Sequence, residues 1–260
     1  VVFDGTGYGE DGTIWGGEFL LADRRSFQRL ARLSLFPLIG AESAIKEPLR
    51  IAAGILAISN SGAIPESVME IFTDLSSKPF LWLEALKKGI NCPLTSSAGR
   101  LFDAAAAVAG FRRVVTFEGQ AAMWLESIVD ESENGSYEIN FTDTDILECD
   151  AGHLIRAMTD DAIQGTSATR LSARFHNSMA ELVVKTVQRI SEDCPSNVVG
   201  LTGGCFQNKR LTELTFNRLL EAGFEVLCHS GVPVNDGGIG IGQAVAGRAI
   251  WSRNARLQKT

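Results

Sequence analysis

Three glycine clusters, far apart in the chain and each beside a short apolar run, limit what this sequence can fold into. Val1-Val2-Phe3 leads into Asp4-Gly5-Thr6-Gly7-Tyr8-Gly9, Val198 to Leu201 leads into Thr202-Gly203-Gly204, and Asn235-Asp236-Gly237-Gly238 opens a small-residue helical stretch. An apolar run ended by glycine reads as a buried strand, and a helix after it completes a strand–loop–helix unit. Glycine also lets backbone amides approach a ligand closely, and a following helix adds its positive N-terminal end. Any one cluster is equally an ordinary tight turn. Open α/β sheets hold their ligands at strand ends, which is where all three fall.

The rest of the pattern agrees with an α/β fold. Asp11-Gly12 is a hairpin dipeptide, with Thr13 to Leu21 as the returning strand, and Phe27 to Phe36 mixes apolar and basic residues and fits a strand or a helix, with strand preferred. Helical spacing is predicted over Pro48–Asn60, from Pro65 to Leu75, over Phe80–Gly89, Arg100–Ala109 and Gly119–Val129. A strand is predicted at Tyr137–Phe141, then helices over Ala151–Ile163 and Ala168–Ile190. Strand Val198–Leu201, helix Asn208–Ala222, strand Phe224–Leu227 and a helix from the last glycine cluster through Ile250 complete the alternation.

Composition narrows the partners. The 260 residues carry 24 Lys and Arg against 31 Asp and Glu, a net charge of −7, which disfavours nonspecific binding to nucleic acid or an anionic membrane. The apolar runs are far shorter than a membrane span, and five cysteines without a CxxC pair suit a reducing, cytoplasmic compartment. The chain opens on an apolar strand start without Met, which reads as a piece of a longer polypeptide.

Among polar residues, Asp4 and Asp236 stand in two of the clusters. A carboxylate beside a phosphate loop calls for a cation between them, although turn capping accounts for aspartate before glycine as well. Asp103 lies among small and apolar helical residues and needs a partner, either ribose hydroxyls or an arginine. Cys205, at a helix start, could be an acidified thiol or a small buried side chain. His153 and His176 read as helix-face residues, and Glu18 is a candidate functional acid or a packing group.

In order along the chain, Asp4-Gly5-Thr6-Gly7-Tyr8-Gly9, Ile14-Trp15-Gly16-Gly17-Glu18, Lys46-Glu47-Pro48, Thr95 to Asp103, Gly119-Gln120-Ala121, Gly203-Gly204 through Asn208 and Asn235 to Gly238 resemble the C-terminal part of the HypF carbamoyltransferases of hydrogenase maturation. The resemblance implies an actin-like, sugar-kinase/Hsp70-type ATPase fold, truncated at its N-terminus, with lobes of about 1–95 and 96–260 around a nucleotide cleft. It implies transfer of a carbamoyl group from a carbamoyl-adenylate, made with ATP in another domain, to the C-terminal cysteine of a partner maturation protein, towards the cyanide ligands of nickel–iron hydrogenase. Nucleotide binding would fall to Gly5, Thr6, Gly7, Gly99, Asp103, Gly119, Gly203, Gly204 and Asn208, and a divalent metal (Mg, Zn or Fe) to Asp4 and Asp236. The sequence departs from the pattern at Cys205 and Lys46, and lacks the family's i, i+4 histidine pair, expected just upstream of Val1. A small-molecule kinase of the same fold and a catalytically inert nucleotide-binding module are the competing readings.

Overall fold

A computed structural model describes residues 1–64, 66, 68, 69, 79–194 and 196–257. The helix expected from Pro65 to Leu75 falls mostly outside these residues. The chain begins with the hairpin β1 (Val2–Tyr8) and β2 (Ile14–Ala22), followed by β3 (Phe27–Leu33) and the two-residue β4 (Phe36–Pro37). Asp11 closes the hairpin by accepting hydrogen bonds from the Thr13 amide and hydroxyl and from the Trp15 indole. The short α1 (Glu42–Lys46), not foreseen in the sequence, carries an i, i+4 ion pair between its end residues, Glu42 and Lys46. Then come α2 (Leu49–Ile58), α3 (Pro79–Lys87) and β5 (Leu94–Thr95).

The next helix, α4 (Ala98–Ala109), is the centre of the molecule. Every one of its 12 residues is buried. A helix that small and apolar can be surrounded on all sides. Ser97 caps it by accepting from the Arg100 amide, and Gly110, at φ 118°, ends it. α5 (Gln120–Ser127) packs against α4, and β6 (Phe141–Asp143) and β7 (Leu147–Cys149) follow. This corrects the expected strand at Tyr137–Phe141. The Tyr137 amide donates to the Ser178 hydroxyl instead of to a strand, and the β6–β7 ladder starts at Phe141. The long helices α6 (Ala151–Ile163) and α7 (Ala168–Ser191) pack on each other and on α4, and α7 also reaches β3, with Phe102 of α4 edge-on to Phe175 of α7 at 5.0 Å. Finally β8 (Val198–Leu201), a 3-10 turn at Gly204–Gln207, α8 (Lys209–Glu221), β9 (Glu225–Cys228), a second 3-10 turn at Asp236–Gly238 and α9 (Ile239–Leu257) end the chain.

The larger sheet runs β4-β5-β2-β3-β7-β6, with β1 also on β2, while β8 and β9 pair in parallel. β1 joins the two sheets. It is antiparallel to β2 on one side and bridges Thr202 in parallel on the other, through Phe3 amide to Thr202 carbonyl (2.9 Å) and Thr202 amide to Val1 carbonyl (3.0 Å). The first glycine cluster therefore lies within β1 rather than after it, and the register with β2 slips between Phe3 and Gly7. That irregularity turns Asp4 and Gly5 away from a plain ladder.

Candidate functional site

A cleft of about 600 Å³ opens where β1, the N-terminal end of α4, the start of α5, the 204–208 turn and the 235–237 turn converge. Of the residues singled out in the sequence, Asp4, Gly5, Gly99, Asp103, Gly119, Gly204, Asn208 and Asp236 line it. Thr6 and Gly7 continue along β1 with exposed side positions and do not line the cleft, and neither does Gly203.

Local packing explains this convergence. Gly203 has φ 102°, and a Cβ there would stand 2.2 Å from the Phe3 carbonyl oxygen. Its glycine is needed for close approach to β1, not to a ligand. A Cβ on Gly99 would lie 2.8 Å from Gly5 Cα, so the first turn of α4 rests directly on β1. The Ser97 hydroxyl, within 2.8 Å of the Asp4 carbonyl and 2.5 Å of the Gly5 carbonyl, ties the same two segments. Asp4 accepts from the Gly5 amide at 2.7 Å and faces Gly204 across the cleft floor.

Glu18 is a structural clamp. It is 1% exposed, accepts from the Gly16 and Gly17 amides at 2.6 and 2.7 Å, and takes the Ser96 hydroxyl on its other oxygen. Burial raises its pKa against these donors. It anchors β2 to the segment entering α4 and does not line the cleft.

The cleft wall holds a buried ion pair that spacing only half disclosed. The Arg100 guanidinium lies 3.1 Å from Asp103, with side-chain exposures of 5% and 4%. Burial pushes the Asp103 carboxyl up to about 6, opposed by Arg100 and assisted by the neighbouring Glu118. The Nε of Arg100 is buried and has no hydrogen-bond partner among the described residues. Arg100, Glu118, Glu126 and Gln207 line the cleft without having been singled out. The i, i+3 spacing of Arg100 and Asp103 is visible in the sequence, but it marks an ordinary helical pair until α4 is seen to be buried.

Cys205 also lines the cleft, but its thiol is not acidified. Burial and then the Asp4 carboxylate push its pKa up, the opposite of what an activated thiol needs, and the side chain is half-buried. All five cysteines are free. His176, expected as a plain helix-face residue, is 0% exposed and bonds the Asn208 amide at 2.9 Å. Asp4 and Asp236 both reach the cleft, but among the described residues no group of three or more His, Cys, Asp or Glu side chains is arranged to hold a metal ion. Two carboxylates do not fit an enclosed zinc or iron site, whereas magnesium held mostly by water and phosphate oxygens asks for no more. Among the described residues, no helix is long and apolar enough to cross a membrane.

Comparison with known proteins identifies the family of the chain as a whole. A family model described as "Carbamoyltransferase, Kae1-like Domain, second subdomain" matches residues 1–243. Carbamoyltransferase HypF of Rhodobacter capsulatus is 37% identical over 98% of this chain, and that of Synechocystis sp. is 37% identical over 95%. This chain spans 32% and 33% of those two proteins, so it corresponds to about a third of each. A crystal structure of full-length HypF in the phosphate- and nucleotide-bound form superposes with TM-score 0.88 at 38% identity, covering 96% of this chain and 39% of that one. The structure of T. kodakarensis HypF superposes with TM-score 0.79 at 28% identity over 94% of this chain and 32% of its own. The fold is thus the α/β arrangement of HypF, and the matched model corresponds to one subdomain. The chain belongs to the HypF carbamoyltransferase family, in the second subdomain of its Kae1-like domain.

Proposed function

We propose that this chain forms one wall of the carbamoyl-transfer site of a hydrogenase-maturation carbamoyltransferase, binding the adenine nucleotide of a carbamoyl-adenylate in the 600 Å³ cleft. The observation that carries the reading is the meeting of Asp4-Gly5, Gly99 to Asp103, Gly119, Gly204 to Asn208 and Asp236 around one space. The family's nucleotide-bound structure supports it. The other wall, and the two-lobed actin-like cleft as a whole, would come from the preceding subdomain of the longer polypeptide.

In this reading the nucleophile is the C-terminal cysteine thiolate of a partner maturation protein. Its sulfur attacks the carbamoyl carbon and forms the C–S bond. The bond from that carbon to the adenylate phosphate oxygen breaks, and AMP leaves with the electron pair. The product thiocarbamate is then available for conversion to the cyanide ligands of nickel–iron hydrogenase. Such a reaction needs no nucleophile from this chain, which agrees with the unreactive setting of Cys205. It needs stabilisation of charge on the carbonyl oxygen and on the departing phosphate. Arg100, buried beside the cleft with a free Nε–H, and the first turn of α4 supply fixed positive potential there. Asp103 would accept from ribose hydroxyls once a nucleotide displaces part of its attachment to Arg100. A divalent cation, where present, would be shared by Asp4, Asp236 and phosphate oxygens, and would neutralise charge on the leaving group.

Calorimetric titration with ATP, ADP and AMP in millimolar magnesium tests the binding step, and the expected result is saturable binding of at least one of them. No heat and no thermal shift with any would defeat the proposal. Release of γ-phosphate from ATP in the presence of simple sugars would replace it with a kinase.

A further inference from the structure

Asn208 lines the cleft, and its side-chain amide is held by a short relay whose two ends are backbone groups. At one end the Leu211 amide donates to Asn208 Oδ1 at 2.8 Å, capping α8. A backbone N–H can only donate, so this atom is the amide oxygen, and the atom 2.9 Å from His176 Nε2 is Nδ2. At the other end His176 Nδ1 lies 2.8 Å from the Ser172 carbonyl oxygen. A carbonyl can only accept, so the imidazole proton sits on Nδ1 and Nε2 offers its lone pair to Asn208. The Ser172 hydroxyl does not compete for that role, because it donates to the Leu125 carbonyl.

His176 is fully buried, with the Phe102 ring 5.3 Å away and Phe175 behind it. Burial, opposed by its bond to Ser172 and helped by the Arg210 charge, pushes its pKa down to about 4, so the ring is neutral at ordinary pH. Each polar atom of the relay is thereby assigned. Asn208 keeps one N–H that no described protein atom accepts.

We propose that His176 is a positioning residue that locks Asn208 with its oxygen turned into the helix and its spare N–H offered to the cleft, so that the ligand atom meeting Asn208 must be a hydrogen-bond acceptor. A purine ring nitrogen has that character. The identification with a purine rests on the proposed function, whereas the polarity of Asn208 does not.

Two measurements on the whole chain test it. The first needs no ligand: long-range 15N–1H correlation spectra of the imidazoles, assigned by the peaks lost in His176→Phe. The expected result is a protonated Nδ1 and a bare Nε2 at His176, and a protonated Nε2 would overturn the proposal. The second is AMP affinity with melting temperature recorded alongside. His176→Gln, which keeps an acceptor where Nε2 stands, is expected to bind within about twofold of wild type, and His176→Phe about five- to tenfold more weakly. Asn208→Asp keeps the cap oxygen but removes the donor, and is expected to lose about tenfold or more in affinity while still folded. If His176→Phe fails to fold, the His176 peaks are assigned as those that persist in a His153→Gln, His229→Gln double variant, and His176→Gln and Asn208→Asp carry the affinity test. Wild-type affinity in Asn208→Asp or in folded His176→Phe would overturn the proposal. If the wild type binds no adenine nucleotide, the functional reading fails, and the tautomer spectrum still decides the polarity.

Discussion

Replacing Asp103 by asparagine should make the ligand-free protein more stable and a poorer nucleotide binder. Asp103 is 3% exposed, and its nearest cation, Arg100, does not fully offset the loss of hydration. The carboxyl stands at about 6 instead of 3.8. Between roughly pH 4 and pH 6 the native protein therefore holds a proton that the unfolded chain has released, and stability falls as pH rises through that window. A shift of that size corresponds to about 3 kcal/mol of native-state penalty at pH 7. Asparagine removes the charge and keeps an oxygen that Arg100 can donate to. For a chain of this length each kcal/mol moves the melting temperature by about 2–4 °C, so a rise of several degrees is expected. The same change removes a charged acceptor for ribose, which should cost about ten- to hundredfold in nucleotide affinity. Urea denaturation at pH 4, 5, 6 and 7, with AMP titration at pH 7, reads both effects. In the variant the decline between pH 4 and pH 6 should shrink by the contribution of this group. A variant that melts below wild type at pH 7, with unchanged affinity, would show Asp103 to be a structural ion-pair partner and refute the reasoning.

Glu18→Ala leaves the buried Gly16 and Gly17 amides without their acceptor and should cost about 3 kcal/mol in urea denaturation, whereas Glu18→Gln can keep its oxygen on both amides and turn its NH2 to the Ser96 hydroxyl; an unchanged midpoint in Glu18→Ala would mean that Glu18 is dispensable as a clamp. Metal analysis after dialysis should find well under one zinc or iron per chain, because Asp4 and Asp236 lack further protein donors among the described residues. A chain extended upstream through the family's i, i+4 histidine pair should retain it, and stoichiometric zinc or iron already bound by Asp4 and Asp236 would contradict this.

Long periodic segments were legible because their burial is local. The spacing of α6 from Ala151 to Ile163 and of α7 from Ala168 onward follows their buried faces, with serine or aspartate caps at Asp150 and Ser167. β6 was misplaced and β7 missed because each has three residues, and their existence depends on a partner. β7 pairs with β6 on one edge and lies parallel to Ala31–Leu33, far away in sequence, on the other, and no local pattern specifies that second pairing. Tyr137 and Ile139 mimic a strand by alternating apolar residues, but that alternation serves packing beside α7. In the site, residues on glycine turns and the odd aspartate at 103 stood out. His176 and Arg100 did not, because their meaning lies in what they touch. His176 acts through a residue 32 positions away, and Arg100 looks like any helical arginine until α4 is seen to be buried on every side.

The dual use of β1 explains why fold and site are hard to separate in this protein. The strand hydrogen-bonds to β2 on one edge and to Thr202 on the other, and it carries Asp4 and Gly5 into the cleft at the point where its register slips. Gly99 and Gly203 both press on it at distances no side chain tolerates. Of these glycines, Gly99 meets the cleft and Gly203 does not, yet both hold the same strand in place. Glycines read in the sequence as ligand loops are here packing residues, setting how closely α4 and the 203–204 turn approach the strand that bears the aspartate. Substitutions at Gly99 or Gly203 should therefore disturb binding by displacing Asp4. At Gly203, which does not line the cleft, loss of affinity measures the placement of β1 rather than a contact with ligand.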